Sequence, residues 1–271
     1  MTRATLVRLF AFVVVLTAVI AVPMTHIHWN GTQASAQAGE IDTLLNVMIV
    51  LSSFVFAAVI VMLGYCVWKY RAKPGDESDG EPIHGNTKLE ITWTVIPTVI
   101  VLFGAVYSWI VLGDIESKAA DDLPINVTAQ QYKWTFNYPL GNGKEVSSNE
   151  LVVPDGRQLD LHLTSLDVVH SFWVPEWRIK RDLVPTGPGG NDVDNDVVVT
   201  PDRVGTYNVV CTELCGFGHA TMRALVRVVP PDQFATWLAK QPRVKPVQGT
   251  ETGSTSGSAS EFNNGSPTGG P

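Results

Sequence analysis

Gln158-Leu159-Asp160-Leu161-His162-Leu163-Thr164 alternates polar and apolar side chains without a break. Successive side chains of a strand point to opposite faces, so Leu159, Leu161 and Leu163 predict a buried face and Asp160, His162 and Thr164 a wet one. His162 is accordingly read as an ordinary surface histidine. Short β segments recur around it, at Ile125 to Ala129, Tyr132 to Tyr138, Leu151 to Val153, Asp196 to Thr200, Gly205 to Cys211 and Ala224 to Val229. Turn residues separate them: Gly141-Asn142-Gly143 is a hairpin signal, and Pro185 to Asp196 reads as a loop. Such spacing predicts a sandwich or barrel.

Apolar residues concentrate upstream, in the first 113 positions. Positions 43–68 hold 26 residues without a charge, and positions 91–113 hold 23. As helices these runs are roughly 39 and 34 Å long against a hydrocarbon core of about 30 Å, so both can cross a bilayer. Lys69, Arg71, Lys73 and Lys88 flank the loop between them and mark it cytoplasmic, while Asp76, Glu77, Asp79 and Glu81 count little in that rule. Everything after Asp114 is then extracytoplasmic. Ahead of this hairpin, the 14 uncharged residues Leu9 to Val22 follow Arg3 and Arg8 and precede Ala34-Ser35-Ala36 and Ala36-Gln37-Ala38. That pattern reads as a signal peptide over 1–38, cleaved near Ala38. A retained third anchor helix is the alternative.

The expected organisation is therefore a signal segment, a transmembrane hairpin over 39–116, a β domain over 117–231 and a C-terminal extension over 232–271. From Gln248 to Pro271, 19 of 24 residues are Gly, Ser, Thr, Asn or Pro, too few apolar groups to offset chain entropy, so the extension is expected to be disordered after about 247. From Asp114 to Pro230 there are 16 acidic and 10 basic residues. That excess excludes a nucleic-acid partner and predicts a basic protein partner.

Three cysteines are present, of which Cys66 lies inside the first span. The other two belong to Cys211-Thr212-Glu213-Leu214-Cys215-Gly216-Phe217-Gly218-His219-Ala220-Thr221-Met222, which places two thiols, an imidazole and a thioether within twelve residues. His170, opening His170-Ser171-Phe172-Trp173-Val174-Pro175, can supply a second imidazole from across the sandwich. Soft thiolate and thioether with imidazole select copper over harder ions. With two thiolates bridging two metals, each copper needs one histidine and one weak axial ligand, and Met222 and the backbone carbonyl of Glu213 complete the count. No position is left for a substrate, so such a centre moves electrons rather than making bonds. The competing readings are a Cys211–Cys215 disulfide and a zinc site, the latter disfavoured because structural zinc takes Cys and His rather than Met.

Two spans, a β domain, His170 and Cys-x3-Cys-x3-His-x2-Met resemble subunit II of the haem-copper cytochrome c oxidases. Trp93-Thr94-Val95-Ile96-Pro97 in the second span occurs in the family's order, and the resemblance covers roughly Ile41 to Pro230. It implies an all-β cupredoxin-like Greek-key sandwich on a two-helix membrane hairpin, in the plasma membrane of a bacterium. It implies a dinuclear copper centre, CuA, on His170, Cys211, Glu213, Cys215, His219 and Met222. Electrons would come from cytochrome c and pass to haem in subunit I, where oxygen is reduced, with the other oxidase subunits and the bilayer as further partners.

The resemblance extends to other residues. The Glu213 carboxylate corresponds to a ligand of a magnesium or manganese ion at the subunit I contact, a hard-ion role that its oxygens suit. Asp167 corresponds to an acidic residue near that contact, or is a turn-forming Asp. In Gln131 to Tyr138, Tyr132 aligns with a tryptophan that receives the incoming electron, and Trp134 lies two residues on; both are expected on one strand face. An aromatic core strand without redox role is the alternative. Glu90 resembles a glutamate at a proton entrance, and Thr87-Lys88-Leu89-Glu90 is also a capping box. A quinol oxidase subunit lacks these copper ligands, a nitrous oxide reductase needs a second catalytic domain, and a copper-delivery factor has a more open site.

Overall fold

The computed structural model describes residues 2–72, 74–75, 82, 84–141, 143–185 and 195–245. Lys73, Asp76 to Glu81, Asn142, most of the expected loop with Asp192 and Asp194, and the tail from 246 lie outside the described residues.

Three helices come first, α1 (Arg3–His26), α2 (Ala36–Lys69) and α3 (Thr87–Ile115), each long and apolar enough to cross a membrane. α2 and α3 contain the two expected spans. The additional helix, α1, runs past the apolar stretch Leu9 to Val22 at both ends: Thr2 caps it by accepting from the Thr5 N–H at 3.2 Å, and the helix then runs through Arg3 and Arg8 to His26. α3 begins one residue earlier than the expected capping box. Asn86, not Thr87, is the N-cap, accepting from the N–H groups of Lys88 at 3.1 Å and Leu89 at 3.2 Å, while the Asn86 N–H donates to Glu90 Oε1 at 3.2 Å. Asn outranks Thr as an N-cap, which shifts the start by one.

The rest is β1 (Leu123–Gln130), β2 (Lys133–Pro139), β3 (Glu145–Ser148), β4 (Leu151–Pro154), β5 (Leu159–Ser165), β6 (His170–Val174), β7 (Ile179–Leu183), β8 (Asp196–Val199), β9 (Gly205–Cys211), β10 (Arg223–Val229), α4 (Pro231–Lys240) and β11 (Arg243–Val244). One sheet has the order β11-β3-β2-β1-β5-β8 and the other β4-β10-β9-β6-β7. The parallel pairs β1–β5 and β4–β10 join strands distant in sequence, as Greek-key connections require. The expected cupredoxin-like sandwich is the observed fold. Its core sets Ile125, Val127, Phe136 and Leu161 against Phe172, Val174, Val209 and Val226, none with exposed surface. Each such side chain contributes about 1.5–3 kcal/mol by leaving water.

β6 is not predicted by alternation because its residues are buried on both faces, His170 and Ser171 included, so no wet face remains to mark it. Beyond residue 231, the chain does not leave the domain at once. Phe234 and Trp237 of α4 pack on Tyr138, with ring centroids 6.3 and 5.3 Å away, and β11 pairs with β3, so the domain continues to Val244. The alternation of β5 also has an exception. Asp160 is only 7% exposed, because Lys118 reaches over it to pair at 3.0 Å, whereas His162 stays partly exposed as expected.

Candidate metal centre

β9 ends at Cys211 and β10 begins after Met222, and the Cys211 N–H donates to the Met222 carbonyl at 3.1 Å, closing the loop between them. β6 runs antiparallel beside β9 with Phe172 opposite Cys211, and the Thr212 N–H donates to the Ser171 carbonyl at 3.1 Å. This register brings His170 to the loop from 41 residues away.

The sulfurs of Cys211 and Cys215 are 3.8 Å apart. A disulfide needs about 2.05 Å, so both are free thiols. His170 Nδ1 lies 3.8 Å from Cys211 Sγ, His219 Nδ1 3.7 Å from Cys215 Sγ, and Met222 Sδ 3.8 Å from Cys215 Sγ. The Glu213 carbonyl lies 3.3 Å from Cys211 Sγ, with the Glu213 residue exposed. All six expected ligand positions therefore converge around two sulfurs. The separations suit atoms gathered around a metal: with metal–sulfur bonds of about 2.3 Å, one ion can touch both sulfurs. Burial first, and then the neighbouring Cys211 sulfur, push the metal-free Cys215 thiol up to about 11. A metal that takes these sulfurs as thiolates must displace their protons.

The surroundings orient the ligands. Asp167 Oδ1 lies 2.8 Å from His170 Nε2, which leaves Nδ1 for the sulfur side and places the ring proton on Nε2. Partial burial opposes ionisation of Asp167, but hydrogen bonds from the Gln131 N–H, His170 and the Val168 N–H hold its carboxyl below the usual range. Gln131 also donates from Nε2 to the Cys215 carbonyl at 2.5 Å. Neither Gln131 nor the direct Asp167–His170 contact is evident from the sequence; an acid three residues before a ligating histidine was the only available signal.

Tyr132 and Trp134 do not share a strand face. Tyr132 lies in the turn between β1 and β2, 40% exposed, whereas Trp134 is buried on β2 with its ring centroid 6.3 Å from that of His170. Expected strand geometry fails because the tight turn ends only at Lys133. The Tyr132 ring rests on the glycines of the Cys211–Met222 loop: a Cβ on Gly218 would meet it at 2.5 Å, and Gly216 adopts φ +124°, which only glycine holds without strain. Leu214 and Phe217 project from the loop almost fully exposed.

Residues 27–111 match the family described as cytochrome C oxidase subunit II, transmembrane domain, and residues 140–229 match its periplasmic domain. Cytochrome c oxidase subunit 2 of Thermostichus vulcanus is 32% identical over 258 residues, covering 76% of each chain. That of Synechocystis sp. is 32% identical over 280 residues, covering 83% of this chain and 82% of its own. The chain belongs to the cytochrome c oxidase subunit 2 family. Among solved structures, the periplasmic domain of subunit II of cytochrome oxidase from Bradyrhizobium japonicum has 32% identity and a TM-score of 0.40, covering 46% of this chain and 94% of that one. As a member of the subunit 2 family the chain is part of a terminal oxidase in a bacterial membrane, and its β domain lies on the extracytoplasmic side.

Proposed function

We propose that this subunit receives electrons from cytochrome c and delivers them to subunit I of its oxidase, holding two copper ions on His170, Cys211, Glu213 (by its carbonyl), Cys215, His219 and Met222. The observation that carries this reading is the pair of buried thiols 3.8 Å apart, each with its own histidine nitrogen within 3.8 Å. When bound, copper supplies a one-electron redox centre that changes little in shape. The chain's contribution is rigidity: two strands and a hydrogen-bonded loop hold the ligands, and Asp167 fixes the His170 tautomer.

Exposed Tyr132, Leu214 and Phe217 form an apolar surface over the loop, of the kind that marks a docking site. On this surface Tyr132 is the better candidate to accept the electron, because buried Trp134 has no face free for a partner. Trp134 instead packs against His170 and Phe172. The Glu213 carboxylate is exposed while its carbonyl faces Cys211, which suits a second, hard cation, magnesium or manganese, shared with subunit I. Glu90 is exposed at the cytoplasmic start of α3 and accepts from the Asn86 N–H, so the proton-entrance and helix-capping roles are separable: Glu90→Gln keeps the acceptor and removes the charge. Lower turnover and proton uptake in that variant, with unchanged thermal stability, is the expected result.

The decisive experiment is electron paramagnetic resonance of the full chain in detergent after copper loading and oxidation. Hyperfine structure from one electron shared by two coppers is expected, collapsing to a one-copper signal in Cys215→Ser. A one-copper signal in the unmutated chain would overturn the assignment.

A further inference from the structure

Asn30 to Ala38, running from the turn after α1 into the first turn of α2, contains both small-residue sites that the sequence offers to a signal peptidase. In the fold this stretch is part of the β domain. Ala34 and Ala38 have no exposed surface, and Ser35 and Gln37 are buried. The Ala34 N–H donates to the Glu176 carbonyl at 2.9 Å, and its carbonyl accepts from the Asp202 N–H at 3.3 Å. Ser35 Oγ donates to the Trp177 carbonyl at 2.9 Å, and the Ala36 N–H donates to the Thr200 carbonyl at 2.9 Å. In return, Gln37 Oε1 accepts from the Thr200 N–H at 3.1 Å. Ser35 also forms an isolated antiparallel bridge with Pro201.

Arg178 ties the same stretch to the membrane helices. Its side chain is 3% exposed and holds both carboxylate oxygens of Asp42 on α2, at 2.9 Å each from Nε and one terminal nitrogen. The remaining guanidinium hydrogens go to the carbonyls of Asn30 at 2.9 Å, Pro175 at 3.0 Å and Gly31 at 3.1 Å. A bidentate arginine of this kind fixes orientation as well as position. Cleavage after Ala36 or Ala38 would remove the partners of Glu176, Trp177, Thr200 and two of the Arg178 bonds at once, and would open a slot in the core where Ala34 sits.

The charges agree. With α1, α2 and α3 crossing in turn, Arg3, Arg8, Lys69, Arg71 and Lys88 all fall on the cytoplasmic side, as the positive-inside rule requires. At 24 residues α1 is about 36 Å long, enough to span, where a signal peptide needs only its short apolar run.

We infer that the chain is not processed at Ala36 or Ala38: α1 stays in the bilayer as a third transmembrane helix, and Asn30 to Ala38 is a strap that seats the β domain on the helices. This inference is independent of the metal assignment. The test is intact-mass and peptide mass spectrometry of this subunit in oxidase purified from native membranes. A mass that includes α1, with peptides running unbroken through Ala34 to Ala38, is expected. A mature N-terminus anywhere from Pro23 to Gly39 would overturn it, whether or not the strap survives. The strap is tested separately by elastase, which cuts beside small residues, on the full chain in detergent. The unmutated chain should resist cutting between Ala34 and Ala38, and Arg178→Ala should be cut there at least tenfold faster while its copper signal stays unchanged. Equal protection in both chains would overturn the strap.

Discussion

The β domain carries two groups of side chains with metal-binding potential, and they differ in how their charge is met. His170, Cys211 and Cys215 are all buried, with ligand atoms within 4.8 Å of one another. Asp160, His162 and Asp196 are equally close, but His162 and Asp196 are only part-buried. In the second group Lys118 Nζ sits 3.0 Å from Asp160 and 3.1 Å from Asp196, and His162 Nδ1 lies 2.6 Å from Asp196 Oδ1. Both carboxylates raise the Lys118 pKa, through the hydrogen bonds first, so the ammonium is the resident cation there. Around the two thiols no lysine or arginine plays that part among the described ion pairs, and the Asp167 carboxylate at this site pairs with His170. Proximity of ligands is common to both groups; what differs is that a lysine already neutralises the second cluster, whereas the first offers two sulfurs whose protons a soft metal can displace.

Cys215→Ser should have the largest effect. On the proposed function this variant loses a thiolate shared between two coppers, and cytochrome c oxidation should fall by ~100-fold or more, beyond the effect of losing an outer partner. Steady-state turnover beside the paramagnetic signal checks it, and near-normal turnover would remove the thiols from the mechanism. Next is Asp167→Asn, which leaves the His170 ring in place without its anionic partner. Copper affinity in a chelator competition should fall about 10–100-fold, the usual cost of an outer hydrogen-bond partner, with the two-copper spectrum retained.

Lys118→Ala sharpens the other half. Removing the ammonium leaves Asp160, His162 and Asp196 with uncompensated charge, and zinc titration of this variant should show binding at least tenfold tighter than in the unmutated chain. Equal zinc affinity would mean that the counter-charge is not what keeps the site free of metal. The smallest effect is in acid. Partial burial works against ionised Asp196, but hydrogen bonds from His162 and Lys118 outweigh it and lower its pKa. A depressed carboxylate stabilises the fold above its unfolded value of about 3.9, and that stability is lost as pH falls through the folded value. Asp196→Asn should therefore be less stable to heat than the unmutated chain at pH 7, by on the order of 1 kcal/mol, with the difference closing below about pH 4. A constant gap across that range would mean that Asp196 contributes by shape alone.

Much of this molecule is legible in its residues because the signals are local. Seven β segments follow from alternation and turn residues, the spans of α2 and α3 from uncharged length, and five of the copper-loop features from one stretch of twelve residues. Where sequence reading falls short, the cause is a partner distant along the chain. β6 hides its strand character because both faces are covered, Asp160 is buried by a lysine 42 residues away, and α4 returns to pack on Tyr138 instead of opening a free extension. Tyr132 and Trp134, two residues apart, part ways because a turn ends between them.

Residue patterns are enough for seven of the strands, the spans of α2 and α3, the side of the membrane on which the β domain lies, and the donor atoms offered to a soft metal, since periodicity, charge and ligand type are properties of neighbouring residues. Only the folded chain brings His170 to Cys211 across two antiparallel strands, sets Lys118 on a second cluster, and hydrogen-bonds Ala34 to Ala38, which reads as a cleavage site, to Glu176, Trp177 and Thr200, with all but Ala36 buried. Those outcomes depend on the register between strands far apart in the chain, which no local pattern encodes.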